Sequence, residues 1–324
     1  MTTGEARNAA ARDGVAATPA RVARSLRRLQ EQMVGVHRLD LLAVMTLLLV
    51  LLHSEAPMSG GGVTGEGETA NIPMQVVALA GLVFRPMRLK PALWFILTAL
   101  FLVGSAGLYW WELENHSLLI MYWCLAFGLS LLATDRPQTL ARSARIITGL
   151  VFLLALVWKL TSQDFVEGGF FEFTLLTDDR FRTVAEGIGG LSVGAIDANV
   201  ADIANWWSPN YLASSVPLES APGIEPLAQA MTAWTLLIEG VIALTFLLPR
   251  GRRIGRLGEL ALLAFIATTY GLAPVVGFGW VLLLLGLAQT SFSPRVAHLL
   301  YPVAFVSLQA AYMIDDLWRV LHPL

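Results

Sequence analysis

Cysteine and lysine are nearly missing from this chain. Its 324 residues hold one cysteine, Cys124, and two lysines, Lys90 and Lys159. A single thiol excludes an intrachain disulfide framework and any cysteine-rich metal centre. Within its apolar run Cys124 reads as a small packing residue. Charge is also scarce: Asp, Glu, Lys and Arg make up 14% of the residues, against about 25% in an ordinary soluble domain. The net charge of −2 offers no basic field that would draw nucleic acid. The first 30 residues, rich in Ala and Arg, lack the apolar core and cleavage site of a signal peptide. No His, Asp and Glu combination has metal-ligand spacing, and no phosphate-binding glycine loop is present.

Apolar residues take the place of the missing charge. They make up 56% of the chain, and the mean hydropathy is +0.62. A helix needs about 20 largely apolar residues to cross a bilayer, within a range of about 17–25. Strong candidates are Ala92–Trp111, Ser117–Thr134, Ile146–Leu160, Ala230–Leu248, Leu257–Ala273, Pro274–Gln289 and Val296–Ile314. Leu39–His53 and Ile72–Phe84 are shorter and need flanking residues to reach both interfaces. The pattern predicts an all-α, polytopic membrane bundle of nine spans, with Pro274 and Gly277 dividing one long apolar run.

Charge orients the bundle. With the amino terminus cytoplasmic, all 22 basic residues except Lys159, Arg180, Arg182 and Arg319 fall on inner segments. Such a bias is the positive-inside pattern. It requires both short spans, since dropping one would move Arg85, Arg88 and Lys90 to the outer side. Residues 1–38 read as a cytoplasmic basic tail. Within it Val22, Leu26, Leu29 and Met33 share one face of an interfacial helix over Ala20–Arg38. Residues 39–324 form the membrane domain. Ser59–Asn71 reads as a flexible outer loop. A longer outer loop at 161–229 carries "GGFFEF", "GIGGLSVGAI" and "NWWSPNY", expected to lie as short helices on the membrane face.

Lys159 ends an inside-to-outside helix, and His116 opens a helix at the same outer surface. The ammonium of Lys159 either snorkels to the lipid headgroups or serves a polar site. Glu239 lies near the middle of its span, where an ionised carboxylate is expensive and is expected to face the interior, paired or protonated. Asp164 and Glu167 follow Lys159 closely enough to cap the helix break and to pair with it. Asp315 and Asp316 read as solvated at the outer end of the last span.

Two motifs carry a family resemblance. "NHSLLIMYWCLAFGLSL" (Asn115–Leu131) and "VWKLTSQDFVEGGFFEF" (Val157–Phe173) resemble the membrane core of vitamin K-dependent gamma-glutamyl carboxylase and its bacterial HTTM (horizontally transferred transmembrane) relatives. In that family an Asn-His-Ser opens one membrane helix. The next ends in Lys-Leu before Asp-Trp-Val-Glu-Gly, echoed here by Lys159-Leu160 and Asp164-Phe165-Val166-Glu167-Gly168. Thr232–Arg253 resembles the later helix bearing a membrane glutamate, and Gly271–Gln289 the helix after it. The resemblance implies Lys159 as a base toward a reduced quinone. It makes His116 a stabiliser of an oxyanion, with Asn115, Asp164, Glu167, Gly168 and Glu239 supporting or binding. It also implies a multi-pass protein of a bacterial cytoplasmic membrane acting on a small secreted peptide or a membrane protein. A desolvated lysine can supply a free amine, which arginine cannot.

The chain departs from that pattern in three places. Phe165 stands for the family's tryptophan, Leu262–Leu272 lacks its histidine and asparagine, and only Ser291–Leu324 follows the matched region. Two functions are therefore weighed: a quinol-dependent, carboxylase-like membrane enzyme, and a non-catalytic immunity, assembly or transport factor with the same fold.

Overall fold

The computed structural model describes residues 37–52, 67–103, 115–206, 215–249, 251–272, 276–290 and 294–321. Among them the chain is helical, with no strand. The long helices are α1 (37–52), α2 (Gly67–Val83) and, after the single turn α3 (Arg85–Arg88), α4 (Pro91–Phe101) and α5 (Asn115–Leu132). Helix α6 (Arg136–Thr161) leads into short helices α7 (Gln163–Val166), α8 (Gly169–Thr177), α9 (Arg182–Gly187) and α10 (Ala195–Trp206). Then come α11 (Ile224–Leu247), α12 (Arg252–Leu272), α13 (Val276–Gln289) and α14 (Pro294–Leu321).

Local sequence sets several of these ends. Helix α6 starts ten residues before the expected Ile146. Asp135 caps it by accepting from the Gln138 amide at 3.2 Å, and Pro137 sits in the first turn, where a missing N–H costs nothing. Ser162 closes α6 and caps α7, accepting from the Phe165 amide at 3.4 Å. Gly168 then turns the chain with φ +89°, in the left-handed region where glycine carries no side-chain penalty. Ser162 is the side-chain cap of the break, while Glu167 occupies the C-cap position of α7 and accepts from the Gln163 side chain at 2.8 Å. Neither Asp164 nor Glu167 pairs with Lys159.

Helix α13 is the axis of the bundle, and every side chain from Val281 to Leu285 is buried. A helix apolar all round must be surrounded. Trp280 stacks on Phe305 of α14 with ring centres 3.7 Å apart and donates its indole N–H to the Phe305 carbonyl at 2.8 Å. Trp94 of α4 stacks on Phe127 of α5 at 4.1 Å. The indole N–H of Trp123 reaches the Thr46 hydroxyl of α1 at 2.9 Å.

The segment expected as a loop at 161–229 has a core of its own. Leu175, Leu176, Phe181, Leu191 and Ile196 pack with Ile224 and Ala228 of α11. Because α11 begins at Ile224, the segment ends at 223 rather than 229. The Asn199 side chain clasps it. Its amide donates to the Leu176 and Glu219 carbonyls, each at 3.0 Å, and its oxygen accepts from the Glu219 N–H at 2.7 Å. Arg182 forks onto Asp197 at 2.6 and 3.1 Å and onto Asp179 at 2.6 Å. These contacts raise the Arg182 pKa and lower that of Asp197.

Two helices, Arg136–Thr161 and Ile224–Leu247, are long and apolar enough to cross a membrane; five shorter apolar stretches accompany them. Large apolar side chains face outward on both, including Leu154, Val157, Trp158, Leu237 and Leu244. Of the Ser59–Asn71 loop, Gly67–Asn71 is helical instead. Ser59–Glu66, the tail over 1–36 with its interfacial helix, and the "WSPNY" of 207–211 lie outside the described residues. So do Pro274 and the side chains of Asn115, Asp315 and Asp316.

Candidate functional site

Lys159 lies in the last turn of α6, and its ammonium turns inward rather than along the helix. Nζ donates to both carboxylate oxygens of Glu239 on α11, at 2.6 and 2.8 Å. The Glu239 side chain is 5% exposed and that of Lys159 22%. Helices α6 and α11 pack along each other, so the pair crosses their interface. The snorkelling alternative fails on this geometry. Glu239 faces inward and is paired, as expected of a mid-span carboxylate.

Aromatic rings wall the pair. The Lys159 ammonium sits 5.5 Å from the centre of the Phe165 ring, within the range of a cation–π contact. Phe165 is buried and touches Phe170 and Phe171, with ring centres 5.4 and 5.5 Å away. The turn at Gly168 holds this aromatic group against α11, where a side chain would meet Gln229. Phe165 therefore supplies an aromatic wall beside the ion pair. Gly168 positions that wall, and Asp164 and Glu167 stand outside the ion pair.

His116 is not a partner in this ion pair. It is buried at the start of α5, and its ring lies against Gly277 of α13. Among the described residues the Lys159 ammonium hydrogen-bonds to Glu239 alone. A chain of contacts nevertheless connects the two motifs. Next to Gly277, Phe278 meets Tyr270 of α12 with ring centres 6.3 Å apart. Tyr270, buried, lies within electrostatic range of Glu239. Tyr270 was not among the sequence candidates; its signal was a phenol hydroxyl within the apolar run of α12.

An ammonium and a carboxylate at hydrogen-bond distance, largely out of water, can share one proton in two forms. Either both are charged, or a neutral amine faces a neutral acid. In the second form the amine accepts a proton from another acid. An arginine in the same place would stay charged. Among the described residues no group of three or more His, Cys, Asp or Glu could hold a metal ion.

The fold and site thus define an all-helical protein, with helices capable of crossing a membrane and an ion pair between two of them. No family model, curated protein or solved structure matches the chain.

Proposed function

We propose that this chain is a multi-pass membrane enzyme in which the Lys159–Glu239 pair takes a proton from the hydroxyl of a reduced quinone. The observation that carries this reading is the inward, two-oxygen grip of Glu239 on Lys159 at 2.6 and 2.8 Å. An ammonium needed only for anchoring gains more by reaching the headgroups.

In this reading α1, α2, α4, α5, α6, α11, α12, α13 and α14 each cross the bilayer. Two features support it. Outward leucines, valines and Trp158 on α6 and α11 form an apolar exterior of a kind soluble monomers rarely show. Basic segments assigned to the inner side also meet one another or their shared neighbours: Arg88 grips Asp40, Arg38 lies in electrostatic range of Glu259, and Arg145 reaches the end of α11.

The residues around the pair fit a quinol. A reduced quinone would supply a weakly acidic hydroxyl, two electrons and a flat apolar ring. Phe165, Phe170 and Phe171 offer the apolar wall against which such a ring lies. Glu239 holds the proton that leaves Lys159, and the freed amine takes the incoming one. Tyr270 and the α13 backbone at Gly277 connect this pair to His116, the candidate stabiliser of developing negative charge. The second substrate is a secreted or membrane-held molecule approached from the side of the short helices.

Replacement of Lys159 by arginine tests the proposal. It keeps the charge and the salt bridge to Glu239 but removes the base. Purified protein in lipid, given a short-chain naphthoquinol, is expected to lose about 10²-fold or more of its oxygen uptake, the usual size of a general-base contribution. Uptake at the parent rate would favour a non-catalytic assembly, immunity or transport factor.

A further inference from the structure

A second polar cluster lies away from this site. Arg145 precedes Lys159 by 14 residues on α6, about 21 Å along the helix axis. Its Nε donates to the Phe246 carbonyl at 2.6 Å and its Nη2 to that of Leu248. These carbonyls end α11, where a helix favours a cation. Nη1 makes no hydrogen bond among the described residues. Glu259 of α12, 4% exposed, lines the same narrow crevice as Arg145. One of its oxygens accepts from the Tyr301 hydroxyl of α14 at 2.8 Å and from the Thr290 hydroxyl. Thr245 and Gln289 complete the polar lining.

Two glycines keep the crevice narrow. A methyl at Gly286 would lie 2.7 Å from the Tyr301 ring, and one at Gly258 would lie 2.5 Å from the Thr245 hydroxyl. The remaining space admits a group about the size of a water molecule. Outside it, Leu244, Leu248, Leu257 and Leu260 are exposed on the same two helices. Arg38 lies within electrostatic range of Glu259 and Tyr301, and its Nε is buried without a hydrogen-bond partner.

We propose that this crevice binds the headgroup of an aminophospholipid, its primary ammonium on Glu259 and its phosphate on Arg145. A carboxylate alone would select a cation, and a guanidinium alone would take any phosphate. Lining one crevice together, they fit a zwitterion. The size of the slot then chooses among zwitterions: a primary ammonium enters and donates hydrogen bonds, while a trimethylammonium is too wide and has no N–H. A glycerol headgroup has no charge for Glu259. The exposed leucines give the acyl chains an apolar surface, which points to a lipid rather than a free headgroup. The site uses none of the residues assigned to the quinol, but it rests on the membrane reading of the chain.

The test uses the full chain in lipid nanodiscs. Insertion itself decides the membrane reading. Within inserted protein, native mass spectrometry counts the lipids retained when phosphatidylcholine discs are doped with phosphatidylethanolamine or phosphatidylglycerol. The parent should retain the ethanolamine lipid about tenfold over the other two, the worth of one additional charged hydrogen bond. Glu259→Gln, the same shape without the charge, should abolish that preference. Soluble glycerophosphoethanolamine at equal concentration should not displace the lipid; displacement would assign the crevice to a free headgroup. Equal retention of all three lipids by the parent would mean that the crevice holds only water and would overturn the proposal without any variant. A preference that survived Glu259→Gln would overturn it equally.

Discussion

A methyl group on Gly277 would lie 2.9 Å from both Cδ2 and Nε2 of His116. Helix α13 therefore passes the histidine so closely that a side chain there must displace the ring. Gly277→Ala is expected to cost about 1–3 kcal/mol, the usual penalty of overpacking, and to lower quinol-dependent oxygen uptake. Adding His116→Ala should restore thermal stability without restoring uptake, because the two changes share one space. Additive losses of melting temperature in the double variant would rule this packing out.

The ion pair makes a second non-additive case. Lys159→Met leaves Glu239 buried without its partner. The expected loss is about 2–3 kcal/mol, below that of a fully buried pair because the lysine retains some exposure. Lys159→Met combined with Glu239→Leu should recover most of it, since apolar replacement of both partners is often neutral. Denaturation in detergent measures both. A double variant no more stable than the single one would mean that the pair holds the helices together by itself.

Acid should loosen the short-helix segment before the long helices. Arg182 holds the Asp197 carboxyl below its ordinary value. A carboxyl lowered in this way adds stability above its unfolded pKa of about 4 and loses it as pH falls through the folded value. Hydrogen-exchange protection across α9 and α10, corrected for intrinsic rates, is expected to hold from pH 8 to 5 and to fall below about pH 4. In Arg182→Gln it should already be reduced at pH 7, with little further change on acidification. An unchanged profile in that variant would assign the acid sensitivity to other groups.

Membrane orientation can be read by thiol labelling. A cysteine at Thr183 should react from outside with an impermeant maleimide, whereas one at Ser143 should react only after permeabilisation. The native Cys124 is buried and should contribute little background. Reaction of Ser143→Cys in intact cells would invert the proposed topology.

How much of this was written in the sequence follows from the range of each interaction. Helix α6 was visible as an apolar run, but its early start depended on the cap at Asp135 and the proline at 137, ten residues upstream of that run. The inward face of Glu239 was legible because a mid-span carboxylate has nowhere else to go. Its partner was not, since the two residues lie 80 positions apart, and nearby Asp164 and Glu167 appeared equally able to meet Lys159. Glu259 escaped notice for a related reason. It follows Arg252, Arg253 and Arg256, so it resembles a solvated member of a charged helix end until Tyr301 and Thr290 close over it. The contact of His116 with α13 was hidden too. His116 and Lys159 belong to the same expected surface, and only the folded chain shows a route of contacts from one motif to the other through Gly277, Phe278 and Tyr270.

Arg88 grips Asp40 with two nitrogens, at 2.7 and 3.2 Å, and gives a third hydrogen bond, at 3.1 Å, to the Leu82 carbonyl. The partners are 48 residues apart, and during synthesis the acid emerges first. Until Arg85 and Arg88 have left the ribosome, Asp40 of α1 lacks the two cations that pair with it in the folded chain. Helix α1 can form early but cannot take its final seat until the turn after α2 has been made. The opening helices of this protein are thereby locked in order of translation, with Arg88 as the residue that completes the step.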